Sequence, residues 1–381
     1  MKNKLLIAVN TPSGSYYVDG TGNVVIPGPY DDCGPFSEGL AAVTVGGRSG
    51  YINAEGEVVI PLVYEDCSPF HEGVARVKDG HYMFVCPDGQ KAFTATFEDC
   101  DDSFHSGVLQ VYADKCQLIG IDGRYISDDL YDNCFRPVNG MICVCKDSRY
   151  GVIDKCGVEL VPCVYPDECE VYADCILVRD ENGKVVTLGT DGEPLLDPYD
   201  EVIPLGGGRF VIGLDGQYMS VDSSGMMTSL GCLADCQDAR DGMLAVLSTD
   251  GRAGHYDLEG TTVTRCIYEN TYSFFEGLAM VRLGDRFGFV DRNGSQRVFP
   301  YLEDAFSFSE GLASGKIAGR WGYIDQSGRP VIPFVYDSCL PFRSGCAVVG
   351  TEGRYGLIDR SGRMIVPPVC MRHTDIRFPL D

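Results

Sequence analysis

The sequence predicts an all-β protein made of tandem repeats of about 34 residues, stacked as a curved β-solenoid or superhelix. Glycines that close short aromatic-rich segments recur every 33–35 residues, at Gly22, Gly56, Gly89, Gly123, Gly157, Gly192, Gly225, Gly260, Gly294, Gly328 and Gly362. No segment shows the 3.6-residue hydrophobic periodicity of a helix over about twelve residues, so helix should be scarce. The fixed period overrides the two or three domains that 381 residues would otherwise suggest.

The residue pattern within each repeat predicts about three short antiparallel strands. In the clearest copy, Trp321-Gly322-Tyr323-Ile324-Asp325 reads as a strand because it is rich in aromatic and β-branched residues. Asp-x-x-Gly follows and predicts a tight hairpin, in which Gly328 supplies a positive φ. The partner strand is Val331-Ile332-Pro333, and we expect the proline to end it. A Leu-Ala-x-Val segment after an irregular connection is the third strand.

A longer consensus runs through the copies: aromatic-Gly-aromatic-Ile-Asp-x-x-Gly-x-x-Val-Ile-Pro-x-x-Tyr-Asp, then Phe-x-Glu-Gly-Leu-Ala. This pattern resembles the bacterial WG repeat over about residues 14–366. It is specific in repeats one, two, nine and ten and degraded from about residue 82 to 250, and only Trp321 keeps the signature tryptophan. The resemblance implies a β-rich repeat with an accessory or binding role and no particular chemistry.

The predicted organisation has three parts. Residues 1–13 form an N-terminal capping strand, residues 14–366 form ten to eleven repeats in one continuous domain, and residues 367–381 form a C-terminal tail or cap. Three short strands cannot bury their apolar faces alone, so each copy must stack on its neighbours.

An open superhelix is the first prediction, and a closed, propeller-like ring is the alternative. The last copy lacks its Leu-Ala-x-Val strand, and residues 5–9 (Leu-Leu-Ile-Ala-Val) are a spare copy, which favours closure. Residues 5–9 could instead pair with residues 16–18 as a simple cap. Ten to eleven units also exceed the usual four to eight blades.

The composition argues against several partners and compartments. With 31 Lys and Arg against 55 Asp and Glu, the net charge of −24 argues against nucleic-acid binding. The apolar run after the basic start has five residues, and a signal peptide needs about 7–15. No window approaches the roughly 20 apolar residues of a membrane helix. We therefore expect a cytoplasmic protein without membrane association, whose cysteines are reduced.

Seven of the 18 cysteines occupy one repeat position: Cys33, Cys67, Cys100, Cys134, Cys169, Cys236 and Cys339. Other copies hold Val202, Thr271 or Ala305 there, so the position takes small side chains. We expect a ladder of buried packing residues, because free cysteine behaves as a small hydrophobe. The chain has no Cys-x-x-Cys motif, and Cys143-x-Cys145 is the nearest approach to a ligand pair. With the hairpin glycines, these cysteines are the predicted structural positions.

A second ladder is acidic and begins with the candidate partner-binding residues Asp31, Asp32, Glu65, Asp66, Glu98 and Asp99. One interpretation is that these carboxylates accept hydrogen bonds from loop amides and face water. Another is a recognition stripe for a basic partner. A cation site is the third, although the dense Gly-x-Asp repeat of calcium solenoids is absent. The arginines before the aromatic-Gly strand are expected to offset this stripe at turns.

The chain lacks Gly-x-Ser-x-Gly, His-Glu-x-x-His, P-loop and Gly-x-Gly-x-x-Gly motifs. We therefore predict no enzyme, no catalytic or metal site and no cofactor.

The first functional hypothesis is a non-enzymatic scaffold that binds another protein through an extended curved β surface. The alternative is binding of glycan or another small ligand through repeated aromatics, and a structural spacer is the third. A regular ladder of exposed aromatics would favour a polymer, whereas one patch in the divergent repeats would favour a protein. The sequence does not indicate an oligomeric state.

Overall fold

The computed structural model describes residues 5–240 and 242–380, and β-strands run through all of this length. The helical element is a single 3-10 turn, His373–Asp375, and no α-helix is present in the described residues. The all-β prediction is confirmed. The chain forms two compact units, one from residues 1–19, 24–199 and 377–381 and the other from residues 20–23 and 200–376.

The repeating element is a four-stranded antiparallel sheet, here called a blade. The sheet β4-β5-β6-β7 is a complete copy, formed by Asp32–Ser37, Leu40–Val45, Arg48–Ile52 and Val58–Tyr64. The sequence predicted three strands for each repeat. The additional strand lies around the ladder cysteine, comes first in the blade and pairs with the Leu-Ala strand, as Cys33 does with Val43. In most blades it has only two residues, as in Asp66–Cys67, which is too short to produce an alternating pattern, so the sequence gives no sign of it.

The first unit contains twenty strands in blades one to six. They are β1 Ile7–Thr11, β2 Gly14–Val18, β3 Val24–Tyr30, the four strands above, β8 Asp66–Cys67, β9 Ala75–Asp79, β10 His81–Val85, β11 Asp99–Cys100, β12 Val108–Tyr112, β13 Cys116–Gly120, β14 Asn133–Cys134, β15 Met141–Lys146, β16 Arg149–Asp154, β17 Glu159–Tyr165, β18 Glu170–Val171, β19 Ile176–Arg179 and β20 Val185–Leu188. In the divergent blades three, four and six, isolated bridges replace the outer strand.

The second unit contains blades seven to eleven. Its strands are β21 Glu201–Gly206, β22 Arg209–Leu214, β23 Gln217–Val221, β24 Met227–Arg240, β25 Met243–Ser248, β26 Ala253–Asp257, β27 Thr262–Tyr268, β28 Asn270–Phe275, β29 Leu278–Leu283, β30 Arg286–Asp291, β31 Gln296–Leu302, β32 Asp304–Ala305, β33 Leu312–Ile317, β34 Arg320–Asp325, β35 Pro330–Tyr336, β36 Ser338–Cys339, β37 Cys346–Thr351, β38 Arg354–Asp359 and β39 Met364–Cys370. Strand β24 belongs to both blades seven and eight, which share one seven-stranded sheet.

The last described strand, β40 (Ile376–Arg377), lies in the same sheet as the first three, in the order β3-β2-β1-β40. The predicted β-solenoid is therefore wrong, and the blade-type sheets of the propeller-like alternative are found, eleven of them among the described residues. The physical reason is that the first repeat supplies only three strands from its own sequence, and the C-terminal segment provides the missing short one. Residues 7–9 also pair with residues 16–18, as the capping interpretation expected.

The fourth strand of a complete blade is an outer edge, and in five blades it contains the consensus proline. In blade two Tyr51 pairs with Ile60 and Ser49 pairs with Tyr64, so residues 61–63 bulge out between these pairs. Pro61 does not end the strand as predicted; it interrupts the pairing, which resumes at Tyr64. A proline fits this bulged edge because it has no N–H to leave unpaired, and it also protects the edge against pairing with other chains.

Two recurring glycines are required by close approaches of the backbone. In the aromatic-Gly strand of blade ten, a Cβ on Gly322 would lie 2.7 Å from the carbonyl oxygen of Ile332 in the bulged edge. In the hairpin of blade nine, Gly294 has a φ of 75°, and a Cβ there would lie 2.0 Å from the carbonyl oxygen of Val263 in blade eight. The hairpin glycine is thus both a turn residue and a contact between blades.

Candidate interaction surface

The recurring aromatic side chains lie buried at the joints between successive blades. The Tyr51 and Phe70 rings meet edge-to-face with centroids 4.8 Å apart, and the Tyr51 hydroxyl donates to the carbonyl of Ser68 at 2.7 Å. Equivalent edge-to-face pairs are Tyr17–Phe36, Phe84–Phe104, His255–Phe274, Phe289–Phe308 and Tyr323–Phe342. Such pairs add to the area that they bury. The repeated aromatics therefore hold neighbouring blades together and are not available as a binding shelf.

His255 replaces the tyrosine of this joint in blade eight. Its side chain is 1% exposed, and Nε2 lies 3.1 Å from the carbonyl oxygen of Tyr272, seventeen residues later, as the tyrosine hydroxyls do in other copies. Nδ1 lies 3.3 Å from the Thr264 hydroxyl. Burial lowers the pKa of His255 below its usual value of 6.5, so the imidazole is neutral at physiological pH. His255 is therefore a joint residue and does not belong to an open site.

Acidification is expected to destabilise the protein through His255. Because the pKa of this group is lowered in the folded state, the unfolded chain binds the proton more readily, and stability falls as pH drops below 6.5. The variant His255→Tyr restores the residue found in other blades and should show a shallower loss between pH 7 and pH 5. Urea unfolding at several pH values measures this difference. Equal pH dependence of the two proteins would contradict the assignment.

In the first two predicted acidic pairs, the first carboxylate binds the backbone of a hairpin turn in its own blade. Asp31 Oδ2 accepts a hydrogen bond from the Gly46 N–H at 2.6 Å, and Glu65 Oε1 accepts one from the Gly80 N–H at 3.4 Å. Later copies also pair with the arginine before the aromatic-Gly strand of the preceding blade, in Arg252–Glu269, Arg286–Glu303 and Arg320–Asp337. The arginines thus offset the acidic stripe at turns between blades.

The other predicted partner-binding residues also lie at the surface. Asp32 receives two hydrogen bonds from Arg377, at 2.9 and 3.2 Å. Asp66 lies 4.0 Å from Arg76, and Glu98 lies 3.1 Å from Nδ1 of His81. Asp99 is exposed on β11. The structure does not gather these carboxylates around one point, and their role in binding a basic partner stays a prediction.

The glutamate of the Phe-x-Glu-Gly motif accepts hydrogen bonds from the next blade, a contact that the sequence did not predict. Glu72 stands at a φ of 52° and accepts hydrogen bonds at 2.7 Å from the N–H groups of Ser106 and Gly107, in the same turn of the next blade. Glu38 reaches the N–H of Gly73 in the same way at 3.0 Å. In the second unit Glu276 and Glu310 repeat this contact with Gly311 and Gly345. This recurring carboxylate therefore connects blades.

The ladder cysteines lie in or beside the short first strand of each blade. Six of the seven are buried and Cys67 is half-buried, and all seven are free thiols. Burial raises the pKa of the Cys33 thiol to about 12, so this side chain is neutral and acts as packing. Within the described residues, no group of three or more His, Cys, Asp or Glu side chains is placed to hold a metal ion.

Groups that resemble a catalytic set do not have the geometry of one. The ring centroids of His71 and His105 lie 5.3 Å apart with their planes at 56°, and Nε2 of His105 lies 3.3 Å from the Ser103 hydroxyl. That hydroxyl donates its single hydrogen to Asp102 Oδ1 at 3.1 Å. The serine proton is therefore not directed at the imidazole, as a nucleophile–base pair requires. The triple glycine at 206–208 forms the turn between β21 and β22.

The main apolar surface in the second unit lies on the outer strands of blades eight to ten. We define the outer-strand surface as Arg265, Ile267, Arg297, Phe299, Tyr301, Val331 and Val335. On β31, Arg297, Phe299 and Tyr301 alternate with inward-facing residues such as the buried Val298 and Leu302. All three side chains are exposed, and a bulge between Val298 and Leu302 moves Phe299 and Tyr301 out of the regular pairing with β30.

Contacts between neighbouring blades hold these strands side by side. Gly294, in the hairpin that leads into β31, lies against the backbone of Val263 on β27. The Tyr301 hydroxyl donates to the carbonyl of Gly328 at 3.0 Å, in the hairpin that leads into β35. These two contacts join the outer strands of blades eight, nine and ten to the hairpins of their neighbours.

The exposure of this surface is unusual for apolar side chains. Phe299 is 72% exposed, and Ile267, Tyr301, Val331 and Val335 are between 37% and 55% exposed. A single exposed apolar residue needs no explanation, but a contiguous patch marks an interaction site.

The outer-strand surface departs from the consensus of the chain itself. Phe299 stands at the repeat position of Pro61 and Pro333, and Arg265 takes the same position on β27. The sequence reasoning missed these residues because it aligned the strands for their buried pattern. The sequence did contain a sign of this surface, since Phe299 is an aromatic residue at the proline position of an otherwise regular repeat. Replacing a residue that protects an edge with an exposed phenylalanine favours contact with another molecule.

The charge around this surface differs from that of the remaining chain. Residues 1–249 contain 16 Lys and Arg against 39 Asp and Glu, a net of −23, whereas residues 250–381 contain 15 against 16, a net of −1. Among the described side chains, no carboxylate lies within 4.0 Å of the Arg265 or Arg297 guanidinium. Two unpaired cations thus stand beside exposed aromatic and aliphatic groups.

A family model for the "WG containing repeat" matches residues 17–48, 50–80, 254–286, 287–317, 321–355 and 355–370. The matched segments include the first two blades and the four that contain and follow the outer-strand surface. The divergent region, about residues 82–250, is not matched, in agreement with its degraded consensus. A search of curated proteins found no significant match.

Solved structures similar to this chain share little sequence with it. The computationally designed Ika8 protein is 12% identical over 71% of this chain and 95% of its own, with a TM-score of 0.35. BamB from Moraxella catarrhalis is 11% identical over 83% and 94%, with a TM-score of 0.32. A structure named as the eukaryotic initiation factor is 10% identical over 100% of both chains, with a TM-score of 0.47. The described part of the chain has no helix long and apolar enough to span a membrane.

Proposed function

This chain belongs to the WG-repeat family, and we propose that it is a non-enzymatic scaffold that binds another protein through the outer-strand surface of blades eight to ten. The observation that carries the proposal is the set of exposed apolar side chains on β27, β31 and β35, centred on Phe299 at 72% exposure. Stacked repeats present extended surfaces of this kind to partners.

The composition of the surface supports a protein partner. Tyr301 and Phe299 offer large rigid faces, and Arg265 and Arg297 offer planar cations beside them. Aromatic residues and arginine are enriched at protein interfaces, and tyrosine and arginine are frequent among the residues that dominate binding energy. The backbone beneath is a hydrogen-bonded sheet whose strands are fixed by their neighbours, so little ordering cost is added on binding.

The distribution of aromatics supports this function over glycan binding. Exposed large aromatics in the described chain are Tyr125, Phe299, Tyr301 and Phe306, and their positions do not follow the 34-residue period. A polymeric ligand would need a regular shelf, and the regular aromatics are buried at blade joints. The proposed surface lies in well-matched repeats and not in the divergent region that the sequence pointed to.

Selection from a displayed library tests this function. The biotinylated chain is used to select peptides, and each selected peptide is then titrated against three proteins. Wild type should bind saturably, and the double variant Phe299→Ser/Tyr301→Ser should lose about tenfold or more in affinity, because truncating interface aromatics removes most of their binding energy.

The matched control is Val63→Ser, which changes the exposed side chain at the repeat position of Tyr301 in blade two. It should bind the selected peptides as wild type does. A glycan array is screened in parallel and should give no saturable signal. Saturable glycan binding, or peptides that bind all three proteins equally, would overturn the proposed surface.

A further inference from the structure

We infer that the partner of the outer-strand surface is an acidic, apolar protein segment, in which carboxylates face Arg265 and Arg297 and large apolar side chains face Phe299, Tyr301 and Val331. This inference rests on the proposed function and names the chemistry of the partner. It is carried by two charges without counter-ions, set within an exposed apolar row.

Arg265 and Arg297 differ from the other arginines of their blades. Arg252 pairs with Glu269 at 2.7 Å and Arg286 pairs with Glu303 at 3.7 Å, so these side chains are neutralised within the protein. Arg265 and Arg297 lie on the solvent faces of β27 and β31, and no carboxylate among the described residues lies within 4.0 Å of either guanidinium.

The repeat positions place the two arginines around the exposed phenylalanine. Arg265 is equivalent to Phe299 on the outer strand of the preceding blade, and Arg297 precedes Phe299 by two residues, with both side chains exposed. A guanidinium presents several N–H donors in a fixed fork that matches a carboxylate. An extended segment crossing β27 and β31 therefore meets cation, aromatic and aliphatic groups within one contact area.

The two arginines favour an acidic segment over a basic one at this surface. A basic partner would meet Arg265 and Arg297 with like charge, which costs free energy and selects against it. The sequence suggested a basic partner for the acidic ladder, but that ladder lies on other loops and its carboxylates bind the chain's own amides and arginines. The outer-strand surface has the opposite preference.

Fluorescence anisotropy with three synthetic peptides tests the partner chemistry. Each has about twelve residues, enough to extend about 40 Å. Leu and Phe alternate with Glu in the first peptide, with Gln in the second and with Lys in the third. We expect the Glu peptide to bind wild type at least about tenfold more tightly than the Gln peptide, and the Lys peptide to bind most weakly. Raising salt from about 50 to about 300 mM should remove most of this preference.

Two variants separate charge from apolar contact. Arg265→Gln/Arg297→Gln should make the Glu and Gln peptides equal, because it removes the cations and keeps the apolar row. Phe299→Ser/Tyr301→Ser should weaken both peptides. Arg124→Gln, which changes an exposed arginine in blade four, should alter neither. Circular dichroism confirms that each variant is folded, as expected for substitutions at exposed positions.

The outcomes distinguish the two proposals. Equal binding of the Glu and Gln peptides to wild type, with loss in Phe299→Ser/Tyr301→Ser, would overturn the acidic partner and leave the scaffold function standing. No binding of any peptide, together with an empty library selection, would overturn both. Light scattering is run on the free chain, and a dimer that dissociates in the Phe299 variant would assign the surface to a second copy and overturn the inference.

Discussion

Replacing Phe342 by alanine is expected to lower the free energy of unfolding by about 3–5 kcal/mol. The ring is 2% exposed and packs edge-to-face on Tyr323, with centroids 4.8 Å apart and planes at 62°. Alanine would leave a cavity between blades ten and eleven, which rigid sheets on both sides cannot close. Urea unfolding followed by circular dichroism measures the loss.

Two milder changes at the same joint separate shape from hydrogen bonding. Phe342→Leu keeps most of the buried volume, so its cost should be clearly smaller than that of Phe342→Ala. Tyr323→Phe removes the hydroxyl that donates to the Leu340 carbonyl at 2.7 Å and should cost about 1 kcal/mol. If alanine and leucine at position 342 gave the same stability, the joint would not be the packed contact described here.

Ending the chain at Asp375 is expected to destabilise the first blade by about 4 kcal/mol, from burial of one isoleucine side chain and a few net hydrogen bonds. The deletion removes β40 from the sheet β3-β2-β1-β40 and exposes the space filled by Ile376, which is 5% exposed. It also removes the Leu380 N–H that donates to the Phe36 carbonyl at 2.8 Å. Hydrogen exchange should become faster in β1 and β2, because β1 becomes an unprotected edge.

Substitutions within the closing segment provide the controls. Arg377→Ala keeps the strand and removes only the bonds to Asp32 and to the carbonyl of Cys33, so its effect should be a fraction of the deletion. Arg372→Ala, at an exposed side chain 3.4 Å from Asp375, should change little. Unchanged exchange in β1 after the deletion would show that β40 does not contribute to the stability of this sheet.

The hairpins of this protein follow from their own few residues. Asp325 Oδ1 accepts hydrogen bonds from the N–H groups of Ser327 and Arg329, and Gly328 has a φ of 79°. All the atoms involved lie within five residues, so the Asp-x-x-Gly pattern predicts the turn wherever it occurs. The proline of the outer strand was predicted less well, because whether it ends a strand or sits in a bulge depends on the partner strand.

The short first strand of each blade and the pairing of the two ends were not predictable in this way. The short strand at Cys33 is defined by its pairing with Val43 and has no pattern of its own. The choice between a superhelix and a propeller depends on whether β40 meets β1, across more than 360 residues of chain. Whether the two strands pair depends on the twist that accumulates between successive blades, and the repeat consensus does not specify this sum.

The repeat period, the all-β class, the hairpins and the family were predictable from the amino-acid sequence, because each depends on residues within about 34 positions of one another. It also placed aromatic side chains at regular positions without deciding whether they face water. The packing of the blades shows that Tyr51 and Tyr323 are buried between blades, whereas Phe299 and Tyr301 face solvent. The physical reason is that burial of a strand face depends on whether another blade covers it. A joint face is covered by the next sheet, and an outer strand is left for a partner.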